Sequence, residues 1–95
     1  MRVVSAPGVD ELVRQRGGRL FVWTELQRCC QPSVYLRAAF APAPGRSFRR
    51  AEGTDGFELW FDPGRRTPPT ELHLDVRGRV VRRVRAYWNG CVFVT

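Results

Sequence analysis

Three cysteines carry the most chemistry per residue in this chain: the adjacent pair Cys29-Cys30 and a late Cys91. An odd count leaves at least one thiol outside any intramolecular disulfide. Three cysteines in a chain without a secretion signal argue against a disulfide scaffold. Adjacent cysteines diverge in extended backbone, so the pair does not naturally grip one metal. A disulfide between neighbours closes a small strained ring that reduces easily, which suits redox cycling. Arg28 beside the pair favours the thiolate, which is both nucleophile and soft-metal ligand. The plain alternative is that all three are small buried hydrophobes. It is favoured for Cys91 alone and stands level with the chemical reading for Cys29-Cys30.

Other side chains offer less. His73 is the only histidine and alternates with Glu71 and Asp75, as an exposed surface residue would. No Ser-His-Asp set or Gly-rich phosphate loop is present, so no catalytic residue is assigned beyond Cys29 and Cys30 as redox thiols. Arg77, Arg79, Arg82, Arg83 and Arg85 form a dense basic stretch ending in Tyr87-Trp88, with Arg46, Arg49 and Arg50 as a second patch. Such stretches can neutralise phosphates, and exposed aromatics can stack on bases. All sixteen basic residues are Arg, and Ile is missing as well as Lys. GC-rich codons produce that composition without any acidic partner. Nucleic acid is therefore the weaker expectation for a partner.

The elements that must position these residues follow from period and punctuation. At 95 residues and +7 net charge, the chain makes one domain with one core. A first strand is expected over Met1–Val4. A helix of about ten residues follows, entering at Ser5-Ala6-Pro7 and stopping at Gly17-Gly18. Arg19 to Glu25 is apolar on both faces and predicts a strand covered on both sides. Val34 to Phe40 is the next strand, and Ser47 to Glu52 a short edge strand. Phe57 to Asp62 and Glu71 to Val76 alternate, with Phe57, Leu59, Phe61, Leu72, Leu74 and Val76 inward. Arg77-Gly78 reads as a tight hairpin turn before a strand over Arg79 to Trp88. Asn89-Gly90 turns the chain into an apolar end. The expected fold class is α+β, one helix with strands in meander-like order, as a single domain over residues 1–95. No secretory signal and no apolar run of membrane length is seen, so a cytoplasmic protein without a membrane partner is expected.

The Gly-Arg-Leu strand, a Cys at its end, the Gly56-Phe57-Glu58-Leu59-Trp60-Phe61-Asp62 strand, an Asn-Gly turn and a late Cys form a familiar order. Sixty residues separate Cys30 from Cys91, and Cys30 precedes Tyr35 by five positions. The chain resembles the HesB/IscA-like proteins, the A-type iron–sulfur carriers, and within them a small actinobacterial-type branch with a Cys-Cys motif. The resemblance covers nearly the whole chain and rests on pattern and spacing. It implies a small twisted β fold of mostly antiparallel and mixed strands with one N-terminal helix. It also implies thiols brought together to hold iron, an iron–sulfur cluster or another soft metal through Cys29, Cys30 and Cys91. The family's late Cys-x-Cys is Cys91-Val92-Phe93 here, so its second thiol is missing. One chain then falls short of the four thiolates usual for a cluster, and a homodimer would supply the rest. An iron–sulfur client or a redox partner protein is the implied partner. The alternatives are an Arg-rich binding module for nucleic acid or an acidic protein, and a degenerate structural subunit.

Overall fold

The computed structural model describes residues 2–27, 33–51, 56–64, 71–78, 82–87 and 92–93, the side chains of 26, 27, 33–35, 92 and 93 excepted. Eight strands and one helix run in the order β1 (Arg2–Ser5), α1 (Val9–Gln15), β2 (Arg19–Gln27), β3 (Ser33–Ala39), β4 (Arg49–Ala51), β5 (Glu58–Asp62), β6 (Glu71–Arg77), β7 (Arg83–Tyr87), β8 (Val92–Phe93). They form a three-stranded sheet, β1-β6-β7, and a five-stranded sheet, β4-β5-β2-β3-β8. Both sheets are mixed. β1 pairs with β6 in parallel, β2 with β5 in parallel and β3 with β8 in parallel. The fold is a small α+β domain, mostly strand.

The local expectations hold in outline, and the differences have physical causes. α1 starts at Val9 rather than at Pro7, because the chain is still extended beside β6. The Ala6 N–H donates to the Leu74 carbonyl at 2.9 Å, prolonging the β1 ladder by one residue. Asp10 and Glu11 sit in the first turn of the helix, where its positive end favours them. The strand expected over Arg79 to Trp88 is described over Arg83–Tyr87. The β6–β7 connection is longer than a two-residue turn: Arg77 pairs with Arg83, so five residues separate the paired ends. Gly78, at φ 102°, supplies the left-handed conformation that opens it.

The meander-like order is not what forms. Only β2–β3, β4–β5 and β6–β7 are sequence neighbours that pair antiparallel. The chain leaves β2–β3, inserts β4–β5 so that β5 lies along β2, and then builds the second sheet on the first strand. Local alternation specifies which face of a strand is buried, and contains no term for which strand lies beside it.

One core holds the two sheets together. Leu20, Val22, Leu36, Leu59 and Phe61 face it from the larger sheet, and Leu72, Leu74, Val84 and Ala86 from the smaller. Val9, Leu12 and Val13 present the apolar stripe of α1 to the same cluster. Each large side chain buried here contributes about 1.5–3 kcal/mol relative to exposure. β7 runs beside β3, so the two sheets meet along that line. The other faces of the two sheets point away from this core, and they differ in character.

Candidate functional site

Two described strands lead into the cysteine region. β2 and β3 pair from Phe21↔Ala39 to Gln27↔Ser33, so residues 28–32 join the two ends of that ladder. β8 lies on the other side of β3, with Val92 opposite Tyr35 and Phe93 opposite Leu36. Because that pairing is parallel, β8 begins beside the N-terminal end of β3, the end that follows the β2–β3 connection. Cys29, Cys30 and Cys91, together with Arg28, Arg79 and Trp88, lie outside the described residues.

Immediately inside that end, β2 and β3 carry an ordered polar cluster on their outward face. Arg37 Nε donates to Glu25 Oε2 at 2.9 Å, and Trp23 Nε1 donates to Glu25 Oε1 at 3.4 Å. Trp23 and Arg37 are direct cross-strand neighbours, which is why one carboxylate two residues along reaches both. Trp23 is buried despite facing away from the core, and so is Phe21.

What covers them is the segment between β3 and β4, a contact that sequence reading missed. Phe48 meets Phe21 edge-to-face at 5.2 Å and 72°, and Trp23 at 6.1 Å and 82°. Arg46 Nη1 donates to the Thr24 carbonyl at 3.1 Å, and the Ser47 N–H to Asp62 Oδ2 at 3.1 Å. Asp62 also accepts from the Gly64 N–H at 2.8 Å. Thr24 Oγ1 donates to the Pro63 carbonyl at 3.1 Å, and a Cβ on Gly64 would stand 2.8 Å from that hydroxyl. Gly64 is thus required by a close approach as well as by its φ of 67°. The only sequence signal for this strap was the two-faced apolar pattern of β2, which demanded a cover without naming it.

The arginines split into two groups. Around the larger sheet, Arg19 and Arg50 both reach Glu58, at 3.3 and 3.8 Å, and Arg37 holds Glu25. Arg49 is exposed at the β4 edge. On the smaller sheet, three cross-strand rows face outward: Arg77 opposite Arg83, Asp75 opposite Arg85, and His73 opposite Tyr87. Arg77 Nε lies 3.4 Å from Asp75 Oδ2. Arg77, Arg82 and Arg83 are exposed and Arg85 is half-buried. His73 is not a free surface residue as expected: it is half-buried, and its ring stacks on Tyr87 with centroids 5.0 Å apart and 11° between planes. The cross-strand position of Tyr87, fixed by the wide hairpin, creates that contact.

Among the described residues, no group of three or more His, Cys, Asp or Glu side chains is gathered to hold a metal ion. Among them, too, no helix is long and apolar enough to cross a membrane. No family model, curated protein or solved structure matches the chain.

Proposed function

We propose that the protein is a HesB-like thiol protein in which Cys29, Cys30 and Cys91 act together. They bind iron, an iron–sulfur cluster or another soft metal, or cycle between thiol and disulfide. The observation that carries this reading is the register of β8. Val92 is paired with Tyr35, two residues into β3 from Ser33. Cys91 is one Cα step, 3.8 Å, from Val92. Cys29 and Cys30 belong to the five residues between Gln27 and Ser33. The described residues next to the cysteines, Val92 for Cys91 and Gln27 and Ser33 for Cys29-Cys30, therefore lie at the same end of β3, although sixty residues separate Cys30 from Cys91.

The donor set sets the chemistry. Thiolates select soft metals, and three from one chain suffice for a single metal ion with one open position. A four-thiolate cluster requires a second protomer. In the redox branch, two thiols lose two protons and two electrons to an oxidant such as a partner protein's disulfide, whose two sulfurs leave as thiols.

Anaerobic reconstitution with iron and sulfide tests the metal branch, read by visible absorbance. Thiol titration before and after mild oxidation tests the redox branch. The expected result is a visible band, or the loss of two titratable thiols, that Cys30→Ser abolishes. A parent protein silent in both assays, and indistinguishable from Cys30→Ser, would overturn the reading.

A further inference from the structure

GC-rich codons would explain how many arginines the chain has, and not where the carboxylates are missing. Residues 1–75 carry eleven Arg against nine Asp and Glu; residues 76–95 carry five Arg and no carboxylate at all. Five of the seven net positive charges therefore belong to the last twenty residues. The fold concentrates them further. β6 and β7 bring Arg83 face to face with Arg77, and of the two only Arg77 pairs with a carboxylate among the described residues, Asp75 at 3.4 Å. Arg82 and Arg83 are exposed, and no carboxylate pairs with either among the described residues. Exposed arginines without a carboxylate partner at this end of the strand pair make sense where an anionic ligand neutralises them.

We propose that the outward face of β6–β7 binds single-stranded nucleic acid. Along β7, Arg83, Arg85 and Tyr87 all face outward at two-residue intervals, about 6.6–6.8 Å apart. That interval is of the same order as the step between successive phosphates in an extended single strand. Arg82 and Arg83 at the loop end contact phosphates, as charged forks suited to their oxygens. At the other end of the strand, the half-buried His73–Tyr87 stack offers aromatic surface on which an unpaired base can stack. An acidic protein segment would engage the arginines and leave this aromatic pair unused, so the nucleic-acid ligand accounts for more of the face. This surface does not depend on the cysteines.

The test is fluorescence anisotropy of the full chain with labelled oligouridylate and oligothymidylate, over about 50 to 200 mM salt. Arg82→Ala/Arg83→Ala is expected to weaken binding at least tenfold. The same change should reduce the slope of log K against log salt by about 1.4, at ~0.7 per phosphate contact on a single strand. Arg16→Ala/Arg49→Ala removes the same net charge at the end of α1 and on β4, and is expected to leave affinity within about twofold if contacts rather than net charge decide binding. Tyr87→Leu keeps apolar bulk while removing the ring, and should cost about fivefold or more if a base stacks there. Circular dichroism of each variant checks that it is folded. Tighter binding of either oligonucleotide meets the expectation, since the shared chemistry is a phosphodiester strand with exposed bases. No binding at low salt, equal weakening by the two arginine pairs, an unchanged Tyr87→Leu, or equal binding of polyglutamate or of duplex would overturn it.

Discussion

The outward faces of the two sheets solve the same problem in opposite ways. The larger sheet turns Phe21 and Trp23 away from the core and buries them again under Phe48, with Arg46 and Ser47 tying the cover down. Its arginines Arg19, Arg37 and Arg50 are matched by Glu58 and Glu25. The smaller sheet has no such cover among the described residues. Its outward rows are polar or half-exposed, and its arginines outnumber the carboxylates that face them: Glu71 holds Arg2 at 3.8 Å and Asp75 holds Arg77 at 3.4 Å, while Arg83 has no carboxylate partner among the described residues. Arginine content is common to both faces. What separates them is the placement of carboxylates and of one covering segment, so the first face behaves as structure and the second as surface.

Substitutions can break or sharpen that contrast. The largest effect is expected from Phe21→Ala, which empties a buried site on a face that does not touch the main core. Urea denaturation should register a loss of about 3–5 kcal/mol. A value near that of an exposed residue would show that Phe48 covers it only loosely. Gly64→Ala comes next, at roughly 1–3 kcal/mol, because it adds both a positive-φ penalty and a collision with the Thr24 hydroxyl. Pairing it with Thr24→Ala should recover the collision share, which a double-mutant cycle would measure. Asp62→Asn, which leaves one carbonyl oxygen for the two backbone donors of Ser47 and Gly64, should cost about 1 kcal/mol. The smallest effects differ in sign. Arg19→Ala should lose about 0.2–1 kcal/mol with its Glu58 partner left behind. Arg83→Glu should gain about 0.2–1 kcal/mol by replacing a like-charge pair opposite Arg77. If both arginine changes destabilise equally, the two faces are electrostatically alike and the contrast fails.

Much of the local structure was readable before any coordinates. The alternation of Phe57 to Asp62 and Glu71 to Val76 put Leu59, Phe61, Leu72 and Leu74 inward, where they are. The two apolar faces of β2 announced a strand covered twice. Long-range pairings were not readable. Nothing in Arg2 to Ser5 points to Glu71 to Leu74, and nothing in Arg19 to Trp23 points to a parallel β5, because backbone ladders are chemically the same for every sequence. The strap escaped for a related reason: Ser47 and Phe48 were expected to open the edge strand and Arg46 to belong to a basic patch, whereas β4 starts at Arg49 and the three residues before it reach Thr24, Asp62 and the Phe21–Trp23 face. For the thiols the sequence supplied the residues alone, since Cys29, Cys30 and Cys91 lie outside the described residues.

The parallel pairing of β1 also sets an order in time. Arg2 to Ser5 are synthesised first, yet their ladder partners are Glu71 to Leu74, and Val3 packs on the core formed with them. At about 5–20 residues per second, the first strand waits several seconds on a ribosome for the strand that completes it. The β2–β3 hairpin can close meanwhile, since its partners are close in sequence. The smaller sheet is therefore expected to assemble only after β6 emerges, with a free Val3-Val4 edge exposed until then. A chain stalled or cut before residue 71 would keep that edge open and be a natural substrate for chaperones.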